Sequence, residues 1–174
     1  MEYKNIQILL GDITELDVDC IVNAANNTLL CGGGVDGAIH CKAGPSLLEE
    51  CRALGGCETG EAKITYGYNL KAKYIIHTVG PIYSGRASDR VQLYNCYWNT
   101  MQLAKATGIH SIAFPAISTG VYGYPLDDAT EIALDAVTEW ISRNSDYKVE
   151  VTFCCHAQRT YDMYKWYEEY VYGG

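Results

Sequence analysis

Short apolar runs alternate with segments of helical periodicity along nearly the whole chain, and that alternation restricts the fold more than any other feature. Asn5 to Leu10, Cys20-Ile21-Val22, Lys63 to Tyr66, Tyr74 to Val79, Ser111 to Phe114 and Val149 to Cys155 read as strands. A helix is expected to start within Val35-Asp36-Gly37-Ala38-Ile39-His40, and another to run from Pro45 through Arg52 with Leu47, Leu48 and Cys51 inward. A third is predicted from a Ser88 cap to Gly108, with Val91, Tyr94, Trp98 and Met101 recurring on one face. Pro125 suits the first turn of a fourth, whose apolar face is Ala129, Ile132, Ala133, Ala136, Val137 and Trp140. Asp162 to Val171 reads as a closing helix with Met163, Tyr164, Tyr167, Tyr170 and Val171 inward. Strands that alternate with helices favour an α/β fold, its mostly parallel or mixed sheet covered on both faces.

At 174 residues the chain fits one domain, spanning 1–174, around one core. The longest apolar runs fall short of the roughly eighteen residues that read as a membrane span. The stretch Met1-Glu2-Tyr3-Lys4-Asn5-Ile6 lacks the apolar core of a signal peptide, so a soluble cytoplasmic protein is expected. The formal net charge of −8 argues against a sequence-independent grip on nucleic acid, which needs clustered Lys and Arg. It leaves room for a small anion, because backbone N–H groups hold phosphates without basic side chains. In that setting the eight cysteines are expected to be reduced thiols. Cys31, Cys41, Cys51 and Cys57 are widely spaced around His40 with no CxxC, so no metal is expected.

Three polar or glycine-rich segments follow strands, where open α/β sheets bind their ligands. In Gly11-Asp12-Ile13, Asp12 could accept from an exocyclic amine or could simply cap a turn. The second segment runs from Val22-Asn23-Ala24-Ala25-Asn26 to Gly32-Gly33-Gly34-Val35-Asp36-Gly37. Its asparagines can grip sugar hydroxyls, and its glycines let a ligand approach the backbone. The GxGxxG match at Gly32, Gly34 and Gly37 is accidental, since a polar loop separates it from the strand. Asp36 and His40 are one helical turn apart, which suits an acid–base pair or a capping Asp beside a packed His. The third segment, Pro115 to Gly123, has small residues that could cradle a diphosphate or form an ordinary crossover loop. There is no GxxxxGK[ST], HExxH or GxSxG.

Taken together, Gly11-Asp12-Ile13-Thr14, Val22-Asn23-Ala24-Ala25-Asn26, Gly32 to His40 and Ile117-Ser118-Thr119-Gly120-Val121-Tyr122-Gly123 occur in the order and spacing of macrodomains. Thr59 to Thr65 and YIIHTVGP (Tyr74 to Pro81) resemble the MacroD-type hydrolase branch. The resemblance implies a three-layer α/β/α sandwich with a mixed central sheet, and ADP-ribose as ligand. It implies that Asp12 and the Ile13 backbone meet adenine, and that Asn23 and Asn26 line the distal ribose. Gly33, Gly34 and Val35 would form one phosphate loop; Ser118, Thr119, Gly120 and Val121 would form the other. Tyr122 would pack on the distal ribose and His156 would stand at the adenine platform. Asp36 would be the catalytic carboxylate, with Asn26 and His40 beside it.

Two positions depart from the family pattern. Cys31 stands where many relatives carry a fourth glycine, and His156 stands where an aromatic commonly stacks on adenine. The Cys/His insertion of the zinc-dependent branch is missing at Leu29-Leu30-Cys31-Gly32, which again implies no metal. The resemblance implies a cofactor-free hydrolase that removes mono-ADP-ribose from Asp/Glu esters on proteins, deacetylates O-acetyl-ADP-ribose, or both. The expected partners are ADP-ribose, O-acetyl-ADP-ribose and mono-ADP-ribosylated proteins, met by a monomer that touches neither nucleic acid nor membrane. The alternative is a non-catalytic ADP-ribose reader.

Overall fold

The structure, a computed structural model, describes residues 5–172. Met1 to Lys4, used above to read the N-terminus, lie outside the described residues. Among the described residues six strands form one sheet: β1 (Ile6–Leu10), β2 (Cys20–Ala24), β3 (Ala62–Tyr66), β4 (Tyr74–Thr78), β5 (Ser111–Phe114) and β6 (Glu150–Cys155). Their order across the sheet is β1-β6-β5-β2-β4-β3. Every neighbouring pair is parallel except β3 with β4, so the sheet is mixed and β3 is an antiparallel edge.

Five α-helices of the described residues cover it: α1 (Gly34–Ala43), α2 (Pro45–Leu54), α3 (Ala87–Thr107), α4 (Leu126–Arg143) and α5 (Gln158–Tyr167). One apolar layer joins Ile21, Ile75 and Ala113 of the sheet to Ile39, Leu47 and Cys51 of α1 and α2. The other joins Val22, Ile76, Ile112 and Phe114 to Leu93, Tyr97 and Met101 of α3, to Ile132 and Trp140 of α4, and to Tyr164 of α5. Consecutive residues of β2 and β4 serve opposite layers, as the two-residue period of a strand requires. The result is the α/β/α sandwich.

Three expectations at helix ends differ. The entry to α3 is at Arg86, not Ser88, because the Asp89 carboxylate organises it: Oδ2 accepts from the Ser84 and Gly85 N–H groups at 2.7 and 2.9 Å. That shifts the buried stripe to Leu93, Cys96, Tyr97, Met101 and Ala104, and leaves Val91 exposed. The closing helix begins at Gln158 and turns into a π-helical segment, Glu168–Tyr172, in which Tyr170 and Val171 face solvent rather than the core.

Because β1, β2, β4, β5 and β6 run parallel, the segments after their carboxyl ends share one edge of the sheet. All three segments singled out in the sequence lie there.

Candidate active site

Asp36 sits in the first turn of α1 and is buried. It does not cap the helix: the N-cap is Gly33, with no side-chain cap. Its Oδ1 accepts from Asn23 Nδ2 at 2.8 Å and lies 3.4 Å from His40 Nε2, one turn along. Among the described residues His40 Nε2 is buried without a hydrogen-bond partner, so the Asp36 carboxylate is a close neighbour of it and not a bonded one. The second oxygen, Oδ2, faces a different neighbour. A Cβ added at Gly32 would stand 3.3 Å from Asp36 Oδ2 and 3.4 Å from Asn26 Nδ2. Gly32 therefore keeps a gap between the two side chains.

Asn26 is oriented from the other side. Its Oδ1 accepts from the Leu29 N–H at 3.1 Å and the Thr28 hydroxyl at 2.8 Å, which turns Nδ2 toward the gap. A carboxylate oxygen and an amide donor thus both border the space left by the missing Gly32 side chain. Such a pair can accept from and donate to one hydroxyl or water. Gly37 has a packing reason, since a Cβ there would stand 2.9 Å from the Gly32 carbonyl oxygen. Asn23 departs from its expected place at the ribose. It has no exposed surface, and its amide nitrogen is shared between Asp36 and His77 Nδ1 at 3.1 Å. It stands behind the carboxylate.

The two glycine-rich loops flank this centre. Gly33 and Gly34 are exposed, and nothing lies within 4 Å of a Cβ built on either. Helix α1 begins there, so unpaired N–H groups and the positive dipole end point at open space in front of Gly33, Gly34 and half-buried Val35. The other loop runs from Ile117 to Tyr124. Ser118 has a left-handed backbone (φ 67) and donates its hydroxyl to the Pro81 carbonyl at 2.8 Å. A Cβ at Gly80 would collide with Ser118 Oγ, so Gly80 is what lets this lock form. The Ser118 side chain is committed to structure, and only its backbone can meet a ligand. Thr119 turns its N–H and hydroxyl back to the Ala116 carbonyl, while Gly120 and Val121 stay at the surface. Half-buried Tyr122 gives its carbonyl to the Tyr83 N–H at 2.9 Å, tying this loop to the Tyr83–Arg86 turn.

That turn is where pH should act. Asp89 accepts from the Ser84 N–H and hydroxyl and the Gly85 N–H, and those bonds hold its carboxyl below the usual range. A depressed carboxyl stabilises the fold above its unfolded pKa, and the contribution disappears as pH falls through the lower folded value. Amide exchange at Ser84 and Gly85 is therefore expected to accelerate only below the ordinary aspartate range. Exchange unchanged through strong acid would remove Asp89 as the clamp.

Past the end of β1 Asp12 caps the short 3-10 turn Ile13–Glu15, and its Oδ1 accepts from the Thr14 N–H at 3.0 Å and the Thr14 hydroxyl at 2.7 Å. Those bonds lower its pKa and leave Oδ2 for a ligand. The Ile13 side chain belongs to the core, so only its backbone is available. Gly11 is bonded to the Cys155 carbonyl, which brings Asp12 beside His156 at the end of β6. His156 is exposed and free to form a platform. His156→Phe is expected to tighten ADP-ribose by about 0.5–1.5 kcal/mol through added stacking area, with Tm unchanged. Calorimetry on both proteins checks this; weaker binding with a lower Tm would mean that His156 holds the fold instead.

A surface groove between α4 and α5 is lined by Asp127, Arg159, Met163 and Trp166 and gathers neither Asp36 nor a glycine loop. Of the eight cysteines, Cys31 and Cys41 are exposed and the other six are buried. Two residues that sequence reasoning passed over stand behind the site: His77, and Thr65, whose Oγ1 is 2.9 Å from His77 Nε2. A lone imidazole in the apolar run YIIHT was the available signal.

The family model described as Macro domain matches residues 22–133. The chain is a member of the macrodomain family. The ADP-ribose glycohydrolase MACROD2 of Xenopus laevis is 52% identical over 164 residues, covering 93% of this chain and 39% of that protein. The chain thus spans about two fifths of that relative's length. A Macro domain-containing protein of Chlorobaculum tepidum is 52% identical and matched over 92% of this chain and 93% of its own length. Among solved structures, an Oceanobacillus iheyensis macrodomain variant with ADPR superposes with a TM-score of 0.91 at 42% identity, covering 96% of this chain and 93% of that one. The Trypanosoma brucei macrodomain in complex with ADP-ribose gives 0.88 at 45% identity, covering 92% and 68%. This macrodomain is therefore similar in sequence and in its sandwich to proteins solved with ADP-ribose, the ligand that the family resemblance implies.

Proposed function

We propose that this macrodomain binds ADP-ribose across the shared sheet edge and hydrolyses esters at its distal ribose. Adenine lies between Asp12 with the Ile13 backbone and His156. The diphosphate lies between the N–H groups at Gly33, Gly34 and Val35 and the backbone of Ser118, Gly120 and Val121, with Thr119 shaping the turn through its bonds to the Ala116 carbonyl. The distal ribose reaches Asn26, Asp36 and Tyr122. One observation carries the reading: Asp36 Oδ2 and Asn26 Nδ2 both border the space that a Cβ on Gly32 would fill, at the helix end that would hold the phosphates.

In the ester, the anomeric oxygen of the ribose is bonded to the acyl carbon of an acetyl group or of an Asp or Glu side chain. Water supplies OH to one side of the cleaved bond and H to the other, giving free ADP-ribose and a carboxylic acid. Asp36 Oδ2 accepts from the attacking water or from the sugar hydroxyl that it aligns, and Asn26 Nδ2 holds the partner oxygen. His40 keeps the carboxylate in place at Oδ1. Fixing the reactants in this way can supply ~7–11 kcal/mol of the barrier in favourable cases. Mono-ADP-ribosylated proteins and O-acetyl-ADP-ribose present the same ester. The same reading takes residues 1–174 as one domain, monomeric and cytoplasmic.

The test is linkage selectivity. The chain is incubated with proteins mono-ADP-ribosylated on Asp/Glu or on Arg, and with O-acetyl-ADP-ribose, and free ADP-ribose is quantified by mass spectrometry. Release from the esters alone is expected. Release from the Arg linkage at an equal rate would contradict ester chemistry.

A further inference from the structure

We infer that His77 is a positioning residue for Asp36: a neutral imidazole whose bare Nδ1 fixes the Asn23 amide, which in turn fixes the catalytic carboxylate. The inference rests on the hydrolase reading for its effect on turnover and on the structure for its geometry.

Asn23 and His77 are register partners on parallel strands β2 and β4, side by side on the face covered by α1 and α2. Neither has exposed surface. Asn23 Nδ2 is 2.8 Å from Asp36 Oδ1 and 3.1 Å from His77 Nδ1. An amide nitrogen has two hydrogens to give and accepts nothing, so both of its partners must be acceptors. His77 Nδ1 is then bare, and a neutral ring carries its hydrogen on Nε2. That atom lies 2.9 Å from Thr65 Oγ1, whose own hydroxyl donates to the Tyr66 carbonyl at 3.2 Å. Thr65 therefore accepts from Nε2–H. Donation therefore runs outward from the Asn23 amide, to Asp36 on one side and through His77 to Thr65 and the Tyr66 carbonyl on the other.

The groups around the ring agree with this assignment. Burial, aided by nearby His40, pushes His77 down to about 3, so the ring stays neutral. Cys51 Sγ is 3.8 Å from Nε2 and is held up at about 11, so it stays a thiol. Asn23 Oδ1 is buried without a partner. An unpaired buried carbonyl costs stability, yet flipping the amide would aim that oxygen at a carboxylate and at a bare imidazole nitrogen. The orientation observed is the one that gives Asp36 a donor. With Oδ1 held this way, Oδ2 is presented toward Asn26.

Two variants and one spectrum test this. His77→Leu removes the acceptor. His77→Asn puts an amide oxygen where Nδ1 stands, while emptying part of the ring's volume. With the Asp/Glu-modified protein as substrate, the Leu variant is expected to lose on the order of 10–100-fold in kcat, as when outer partners of metal ligands are removed. The Asn variant should recover much of that loss, and KM and the ADP-ribose Kd should stay near wild type in both. A merely structural His77 would make turnover follow Tm, with no advantage for the smaller, cavity-forming Asn. Equal losses in the two variants, or wild-type kcat in the Leu variant, would overturn the inference. Independently of turnover, 15N NMR of the histidines should show one ring with Nδ1 bare and Nε2 protonated throughout the range where ordinary histidines titrate. A protonated Nδ1 on His77 would overturn the assignment even if the protein proved to be no hydrolase. Absent turnover by the wild type would overturn the hydrolase reading instead.

Discussion

Replacing Asp36 by Ala is expected to lower kcat by about 10²-fold or more while leaving the ADP-ribose Kd close to wild type. The carboxylate has one oxygen tied down by Asn23 and the other beside Gly32 and Asn26, and neither lies within 4 Å of a Cβ built on Gly33 or Gly34. The phosphates and adenine are held elsewhere, so ground-state binding has little to lose. Stability should fall as well. The Asn23 N–H would be left unpaired in the core, at a cost of about 1–3 kcal/mol. The small favourable interaction of a carboxylate with the first turn of α1 would also go. Asp36→Asn is the companion: it keeps the shape and removes the charge, and should be as inactive. Wild-type turnover in either variant, measured beside calorimetry, would place the catalyst elsewhere.

The largest effect on binding is expected from Gly33→Glu. Gly33 has φ −91 and ψ −170, extended backbone that any residue adopts, and a Cβ there meets nothing within 4 Å. The side chain would enter without backbone strain and set a carboxylate where a diphosphate must lie. Like charges about 4 Å apart near a protein surface repel by ~4 kcal/mol, which loosens Kd on the order of a hundredfold or more. Tm and circular dichroism should remain native. Gly34 is a poorer place for the same experiment, because its φ of 59 makes any side chain strained whatever the ligand does. An unchanged ADP-ribose affinity in Gly33→Glu would remove this loop from the phosphate site.

Periodicity alone located most of the framework. The apolar stripe of α4 and the short run Ser111–Phe114 signal their burial directly, since nearly every inward position is Ala, Val, Ile, Phe or Trp. Two kinds of feature escaped. Helix ends depend on side chains that reach back from the first turn to the residues before it, so Asp89 organising Ser84 and Gly85 was invisible in a search for a Ser cap. Val91, Tyr170 and Val171 are apolar residues at plausible inward positions, but the neighbouring elements leave those faces uncovered. In the site, Asp36, His40 and the glycines stand out because they are close in sequence. The line through Thr65, His77 and Asn23 does not, because it crosses three strands whose order and register no local pattern reveals. Asn23 itself was recognised as important, but its burial behind Asp36 became clear only once β4 lay beside β2.

The central claim, that this macrodomain cuts an ester and does not merely hold ADP-ribose, is tested most directly by single-turnover kinetics. Enzyme in excess is mixed with a protein mono-ADP-ribosylated on Asp or Glu, and free ADP-ribose and unmodified acceptor are followed together. The account predicts one ADP-ribose and one restored carboxylate for each linkage consumed, at a rate that Asp36→Ala abolishes. ADP-ribose binding by calorimetry together with no release above background, from this substrate or from O-acetyl-ADP-ribose, would contradict it and make the protein a reader.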